Sequence, residues 1–304
     1  MRPPAPLYAV ASMLTVQLGA ALSTHLFDAL SPAGSAWLRV AIAAAVLLAV
    51  ARPRLLTLSW PTLRSTLVLG VATTVLMMAF IEAIARIPLG TTAAIEFLGP
   101  LGVAAARSHR RSALVWPALA FVGVLGLTEP WRGELDLAGL GFAAAAAAGW
   151  AAYIVYTQRV GAEVEGLQGL ALSLTVVTIL AAPFAAPPAL GGLTPLIGLE
   201  CLGLAVLMPL LPFSLELLAL RRMRVAPFGT LMALEPGIAT VIGLVVLSQL
   251  PTWWQAAGVL LVVVAGVGAQ WQPTPQDDPA SLPPSTAVTT GEREPRSEVI
   301  ASAS

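Results

Sequence analysis

The chain reads as an all-α membrane protein of ten transmembrane helices arranged as two inverted five-helix repeats, and three observations carry that expectation. The first is composition. Of 304 residues, 57% are hydrophobic and 11% charged, under half the charged share of about 25% usual in soluble domains. A surface so poor in charge must face lipid. The second is length. Apolar stretches of about 20 residues, enough to cross ~30 Å of hydrocarbon, recur ten times along the chain. The third is an internal repeat. "PLGTTAAIE" at 88–96 and "PFGTLMALE" at 227–235 align without a gap. Pro88, Gly90, Thr91, Ala94 and Glu96 then coincide with Pro227, Gly229, Thr230, Ala233 and Glu235 at an offset of 139 residues.

The spans are expected at 6–27, 35–51, 65–85, 88–106, 112–128, 137–157, 167–186, 196–220, 226–247 and 252–271. The first is too long for the apolar core of a signal peptide and nine more follow, so it reads as a retained helix. The sixth contains "GFAAAAAAGWAAYIVY", small residues that let helices approach closely. Short connections leave no room for a separate soluble domain. After about residue 272 the chain turns rich in Pro, Ser and Thr and loses its apolar stretches. Such a segment cannot bury enough surface to offset its ordering entropy, which predicts a disordered cytoplasmic tail. The expected units are a first five-helix repeat over 1–130, a second, inverted, over 131–272, and the tail over 273–304.

Orientation follows from arginine, since the chain contains no lysine. With the N-terminus cytoplasmic, the inner side holds thirteen arginines and the outer side only Arg86 and Arg132, while Arg39 lies within the second span. Positive residues favour the cytoplasmic side, so both termini are expected there. Trp37, Trp131, Trp253 and Trp254 then fall near the outer interface, and Trp60 and Trp271 near the inner one.

Five is odd, so the second repeat enters the membrane from the side opposite the first, an arrangement found in many secondary transporters. Glu96 lies ~10 Å along the fourth span from the outer face, and Glu235 ~14 Å along the ninth from the inner face. Gly99 and Pro100 follow the one; Pro236 and Gly237 follow the other. Proline removes a backbone donor, and interrupted helices at matching places in two halves point to a binding site. A carboxylate at a helix centre costs at least ~2.5 kcal/mol on insertion scales. A pair of them beside breakers predicts a substrate or proton site at Glu96 and Glu235. The bland alternative is a pair of protonated interhelical hydrogen bonders.

Other polar residues in the spans have local explanations. Arg39 and Glu82 both lie near the outer face and are expected to form an ion pair or a gate, with Asp28 a rival partner for Arg39. Glu216 stands one turn before Arg221, which suggests a capping or snorkelling pair. Glu200 is expected to reach interfacial water. His25 and Gln17 could line a cavity or pack; Met77, Met78 and Met232 read as packing. Cys201, the single cysteine, rules out an internal disulfide and reads as an apolar filler.

"IPLGTTAAIEFLGPLGVAA", "GWAAYIVYTQRVGAE", "LPFSLELLAL" and "FGTLMALEPGIATVIG" resemble the matching stretches of the EamA-type branch of the drug/metabolite transporter superfamily. The resemblance runs from about residue 8 to 270 and is nearest to the amino-acid exporters within it. It implies two EamA-type repeats and export of threonine- or homoserine-like amino acids, or similar small metabolites, across a bacterial inner membrane. Proton exchange is the implied driving force. A multidrug or other metabolite exporter of the same superfamily is the alternative, and the long polar tail departs from the pattern.

An enzyme embedded in the membrane is disfavoured. The two histidines, His25 and His109, form no HExxH, and the adjacent Asp277 and Asp278 fall in the tail. No nucleotide-binding glycine loop is present, so ATP-driven pumping is not expected either. No cofactor or metal is expected. The expected partners are a small-molecule substrate, protons and the lipid bilayer, with no nucleic acid, since the formal net charge is +0; a homodimer is left open. The orientation is testable by cysteine-accessibility labelling after Cys201 is replaced. Cysteines placed at 109 and 222 should label only after the cells are permeabilised. Labelling of either from outside intact cells would overturn it.

Overall fold

Helices account for all regular structure among the described residues of the computed structural model, which are 5–53, 59–107, 114–132, 135–161, 167–220 and 231–270. Residues 227–230 of the second motif, His109, most arginines of the expected inner side, Trp271 and the tail lie outside that set. The helices are α1 (Ala5–Ser23), α2 (Pro32–Ala51), α3 (Trp60–Ile84), α4 (Leu89–Glu96), α5 (Leu98–Arg107) and α6 (Val115–Thr128). Then follow α7 (Leu137–Gly161), α8 (Gln168–Gly191), α9 (Pro195–Ala205), α10 (Leu211–Leu220), α11 (Glu235–Leu247) and α12 (Trp253–Gln270).

Their starts follow local sequence. Ser31, Ser59 and Thr194 cap α2, α3 and α9 through side chains that accept from Gly34, Thr62 and Ile197 N–H at 3.1, 3.3 and 3.3 Å. Proline stands in the first turn of each of these helices, where its missing donor is tolerated.

Seven helical segments are long and apolar enough to cross a membrane: Pro6–Leu30, Pro32–Ala51, Trp60–Ile84, Leu89–Ala106, Leu137–Val160, Gln168–Gly191 and Pro195–Glu216. Three apolar helices are shorter, at Val115–Thr128, Glu235–Leu247 and Trp253–Ala269. Each of these segments overlaps a predicted span. The 14 residues of α6 rise only ~21 Å, short of the hydrocarbon thickness.

The bundle is inverted in polarity relative to a soluble protein. Val50, Ile179 and Val245 are 67%, 65% and 72% exposed, whereas Ser12, Gln17, Thr92 and Ser173 are wholly or almost wholly buried. Apolar groups outside and hydrogen-bonding groups inside suit a hydrocarbon solvent. The chain is a multi-pass membrane protein.

Small residues bring the helices together. α3 packs on α7 and α8, α2 on α8 and α9, α6 on α12, α1 on α10 and α11, and α4 on α11. At the α6–α12 crossing Gly123 and Gly258 face one another so closely that a Cβ on either would strike the other's carbonyl. Gly99 of α5 meets the Ala147 carbonyl of α7 in the same way. Thr73 and Ser173 join α3 to α8 through hydroxyls 2.8 Å apart.

Gly99→Val should therefore separate α5 from α7. Overpacking of this kind costs about 1–3 kcal/mol, so the melting temperature in detergent should fall. An unchanged value would refute the close contact.

Candidate functional site

Glu96 ends α4 and Glu235 begins α11, and proline accounts for both helix ends. Pro100 has no N–H for the carbonyl of Glu96, and Pro236 has none for that of Met232. At Phe97 the chain turns. Its N–H still reaches the Ala93 carbonyl at 3.0 Å before α5 begins at Leu98. Pro236 sits in the first turn of α11. Of the two glycines beside these breaks, Gly99 is required by its contact with α7, while a Cβ on Gly237 would meet only Val263, at 3.8 Å.

Two further contacts register α4 against α11. The Leu89 N–H, an orphan donor of the first turn of α4, is accepted by Gln249 Oε1 at 3.0 Å. Gly90 lies against Thr240 with no space for a Cβ. With the helices held so, Glu96 and Glu235 line one cavity of about 440 Å³. Glu96 is 7% exposed. Gln17, wholly buried on α1, donates from Nε2 to Glu235 Oε1 at 3.1 Å.

The same cavity holds a third carboxylate, Glu216 of α10. The Ser12 hydroxyl lies 2.9 Å from Glu216 Oε1 and 3.3 Å from the Pro212 carbonyl, two acceptors for one proton. Glu96, Glu216 and Glu235 thus share one wall.

Rings complete the wall: Phe80, Phe97, Trp150, Tyr153 and Phe213, with Phe97 edge-on to Trp150 at 6.2 Å between centroids. Between α9 and α10 the chain passes through a π-helical turn, Val206–Leu210. Its Met208 is extended (φ −157°, ψ 108°), which brings Met208 and Pro209 into the wall.

Several sequence expectations change. Glu82 pairs with Arg86 rather than Arg39. Arg86 is one turn away on the same end of the chain, and an (i, i+4) pair needs no second helix to be brought into register. Arg86 also covers the Phe142 ring at 4.8 Å. Arg39 is 1% exposed, and among the described residues its three guanidinium nitrogens have no hydrogen-bond partner, Asp28 included. His25 is bound to Glu200, 3.2 Å away in an exposed pair, and does not line the cavity. Trp37 donates to the Thr178 carbonyl at 2.8 Å, a packing role within the bundle. Met77 and Met232 line the cavity, while Met78 lies in the core.

Glu216 is the residue that sequence reasoning assigned elsewhere. Its expected partner, Arg221, lies outside the described residues. The signal was nonetheless present: a carboxylate in an apolar span four residues after Pro212, the same separation as Glu96 and Pro100 in the reverse order.

Helices with apolar exteriors around an internal cavity that bears carboxyl groups define a multi-pass membrane protein with an acidic internal cavity. Residues 137–268 match the EamA-like transporter family. The threonine/homoserine exporter RhtA of Escherichia coli (strain K12) is 34% identical over 262 residues, covering 85% of this chain and 88% of the relative. Its counterpart from Salmonella typhimurium (strain LT2) is 33% identical over 261 residues, with the same coverage. The chain belongs to the EamA-like transporter family.

A buried charge without hydrogen bonds is costly, and removing it relieves that cost. Arg39→Met should therefore leave the protein at least as stable in detergent, with a gain of about 1–3 kcal/mol. A clear fall in melting temperature would mean that Arg39 has an essential partner.

Proposed function

We propose that this protein is a secondary-active exporter of threonine- or homoserine-like amino acids, or of related small metabolites, that works by proton exchange in a bacterial inner membrane. The observation that carries the reading is the meeting of Glu96 and Glu235, the acidic residues of the repeated motif, on one cavity. The cargo class is taken from the printed names of the relatives.

Two inverted five-helix repeats, over 1–130 and 131–272, are part of the proposal, and the packing supports them. Exchanging the halves maps the α3–α7 contact onto α10–α1. It maps α3–α8 onto α9–α2, and the contacts of α4 and α5 with α7 onto that of α11 with α1. The α2–α8, α6–α12 and α4–α11 contacts map onto themselves. The family match at 137–268 begins near the expected start of the second repeat. Both termini are assigned to the cytoplasm, with the arginine distribution as the warrant.

In this reading the helix ends at Glu96–Pro100 and Glu235–Pro236 bring each carboxyl group to the site where the two halves rock against one another. Each glutamate takes up a proton from one side or meets the ammonium group of the cargo. Gln17 holds Glu235 toward the cavity in the meantime. Proton and cargo then exclude one another, the condition for exchange. The aromatic and thioether wall favours a second reading, a multidrug exporter with flat cationic cargo.

The test is efflux from vesicles with an imposed pH gradient, using labelled threonine, homoserine and a cationic dye. Glu96→Gln and Glu235→Gln keep the shape of the protonated residue but cannot ionise. Both should reach the membrane at parental abundance and lose gradient-dependent efflux by about tenfold or more, equivalent to ~1.4 kcal/mol. Parental transport by both variants would make the glutamates structural. Efflux of the dye without the amino acids would select the second reading.

A further inference from the structure

We infer that the cavity recognises its cargo through an ammonium group held by Glu216, so that amines lacking a carboxylate are substrates alongside amino acids. The inference rests on the export reading and narrows its substrate class.

The wall is one-sided in charge. Three carboxylates and five aromatic rings line it, and among its described residues there is no basic side chain. A cargo carboxylate entering it would meet like charge. A cargo ammonium would meet acceptors and ring faces, both of which attract cations.

The three carboxylates are not equivalent. Glu96 and Glu235 are related by the 139-residue repeat, but the position 139 residues before Glu216 is Met77. Met77 also lines the cavity, so corresponding walls of the two halves differ in this chemistry: a thioether on one, a carboxylate on the other. A group needed equally by both halves of a rocking cycle belongs to the repeated pair. A group present once breaks the symmetry, and cargo recognition is the task that does not need it.

Local geometry fits that division. The buried Ser12 hydroxyl lies 2.9 Å from Glu216 Oε1 and holds the carboxyl group in place on the wall. Glu235 is instead met by the amide of Gln17, which donates from Nε2 at 3.1 Å, so the two carboxyl groups have different neighbours. Tyr153 lines the same cavity. An ammonium held by Glu216 neutralises it and occupies the cavity that Glu96 and Glu235 also line, where its charge and their protons exclude one another.

The test uses the full-length purified protein in liposomes, with labelled threonine and two competitors. Threoninol keeps the ammonium and lacks the carboxylate; 2,3-dihydroxybutyrate keeps the carboxylate and has a hydroxyl for the ammonium. Threoninol should compete within about threefold of threonine, and the hydroxy acid should be weaker by ~10-fold or more, the factor one lost charge-assisted hydrogen bond gives. Glu216→Gln should raise half-saturation for threonine and threoninol alike by about tenfold, while transport stays dependent on the pH gradient. Ser12→Ala, which only frees the carboxylate, should give a smaller rise. Equal competition by the hydroxy acid, or unchanged half-saturation in Glu216→Gln, would overturn the inference.

Failure of the export reading is separable. If the parent does not move threonine, the melting temperature of the detergent-solubilised protein with threoninol alone still reads the ammonium site. A rise in the parent that is absent in Glu216→Gln supports the inference, and no rise in the parent refutes it. Ser12→Ala replaces Glu216→Gln should the latter fail to fold.

Discussion

Carboxyl groups inside a bundle whose exterior is hydrocarbon set the terms for everything else in this protein. Lipid offers such a group no hydrogen bond, so helices must be broken, turned and packed to meet it from within. The end of α4 at Glu96, the start of α11 at Glu235 and the π-helical turn before α10 all border the same cavity. Each break carries a proline one to seven residues from a glutamate. Backbone groups freed in lipid are expensive; the same groups beside a polar cavity are not.

The packing that makes this possible depends on small side chains. Gly99 against Ala147, Gly90 against Thr240 and Gly123 against Gly258 bring backbones nearly into contact, and apolar surface alone would not drive such approach in a membrane, where lipid is as apolar as leucine. Close crossings outside the cavity leave its volume undivided between α1, α3, α7 and α10, whose larger residues form the wall. Alanine and glycine at the crossings and aromatic residues at the cavity thus do complementary jobs.

Arg39 stands apart from this scheme. Among the described residues it is the largest fully buried side chain and meets no acceptor, and it does not line the cavity. Val206–Leu210 packs on α2 and also borders the cavity through Met208 and Pro209.

Much of the fold was legible in the sequence because hydrocarbon reads the chain locally. A run of about 20 apolar residues is a helix whatever its neighbours are, and each helix found overlaps a predicted span. Glu96 and Glu235 were legible for the same reason: an ionisable residue in such a run is conspicuous, and repetition at 139 residues made it twice so. Partners were not legible. Glu82 turned to Arg86 on its own helix end, Gln17 came to Glu235 across 218 residues, and Ser12 to Glu216 across 204. Composition and period along one chain determine which residues must lie in the membrane; which of them meet there is decided only when helices cross, because a hydrogen bond depends on positions a few ångströms apart in space and any distance apart in sequence.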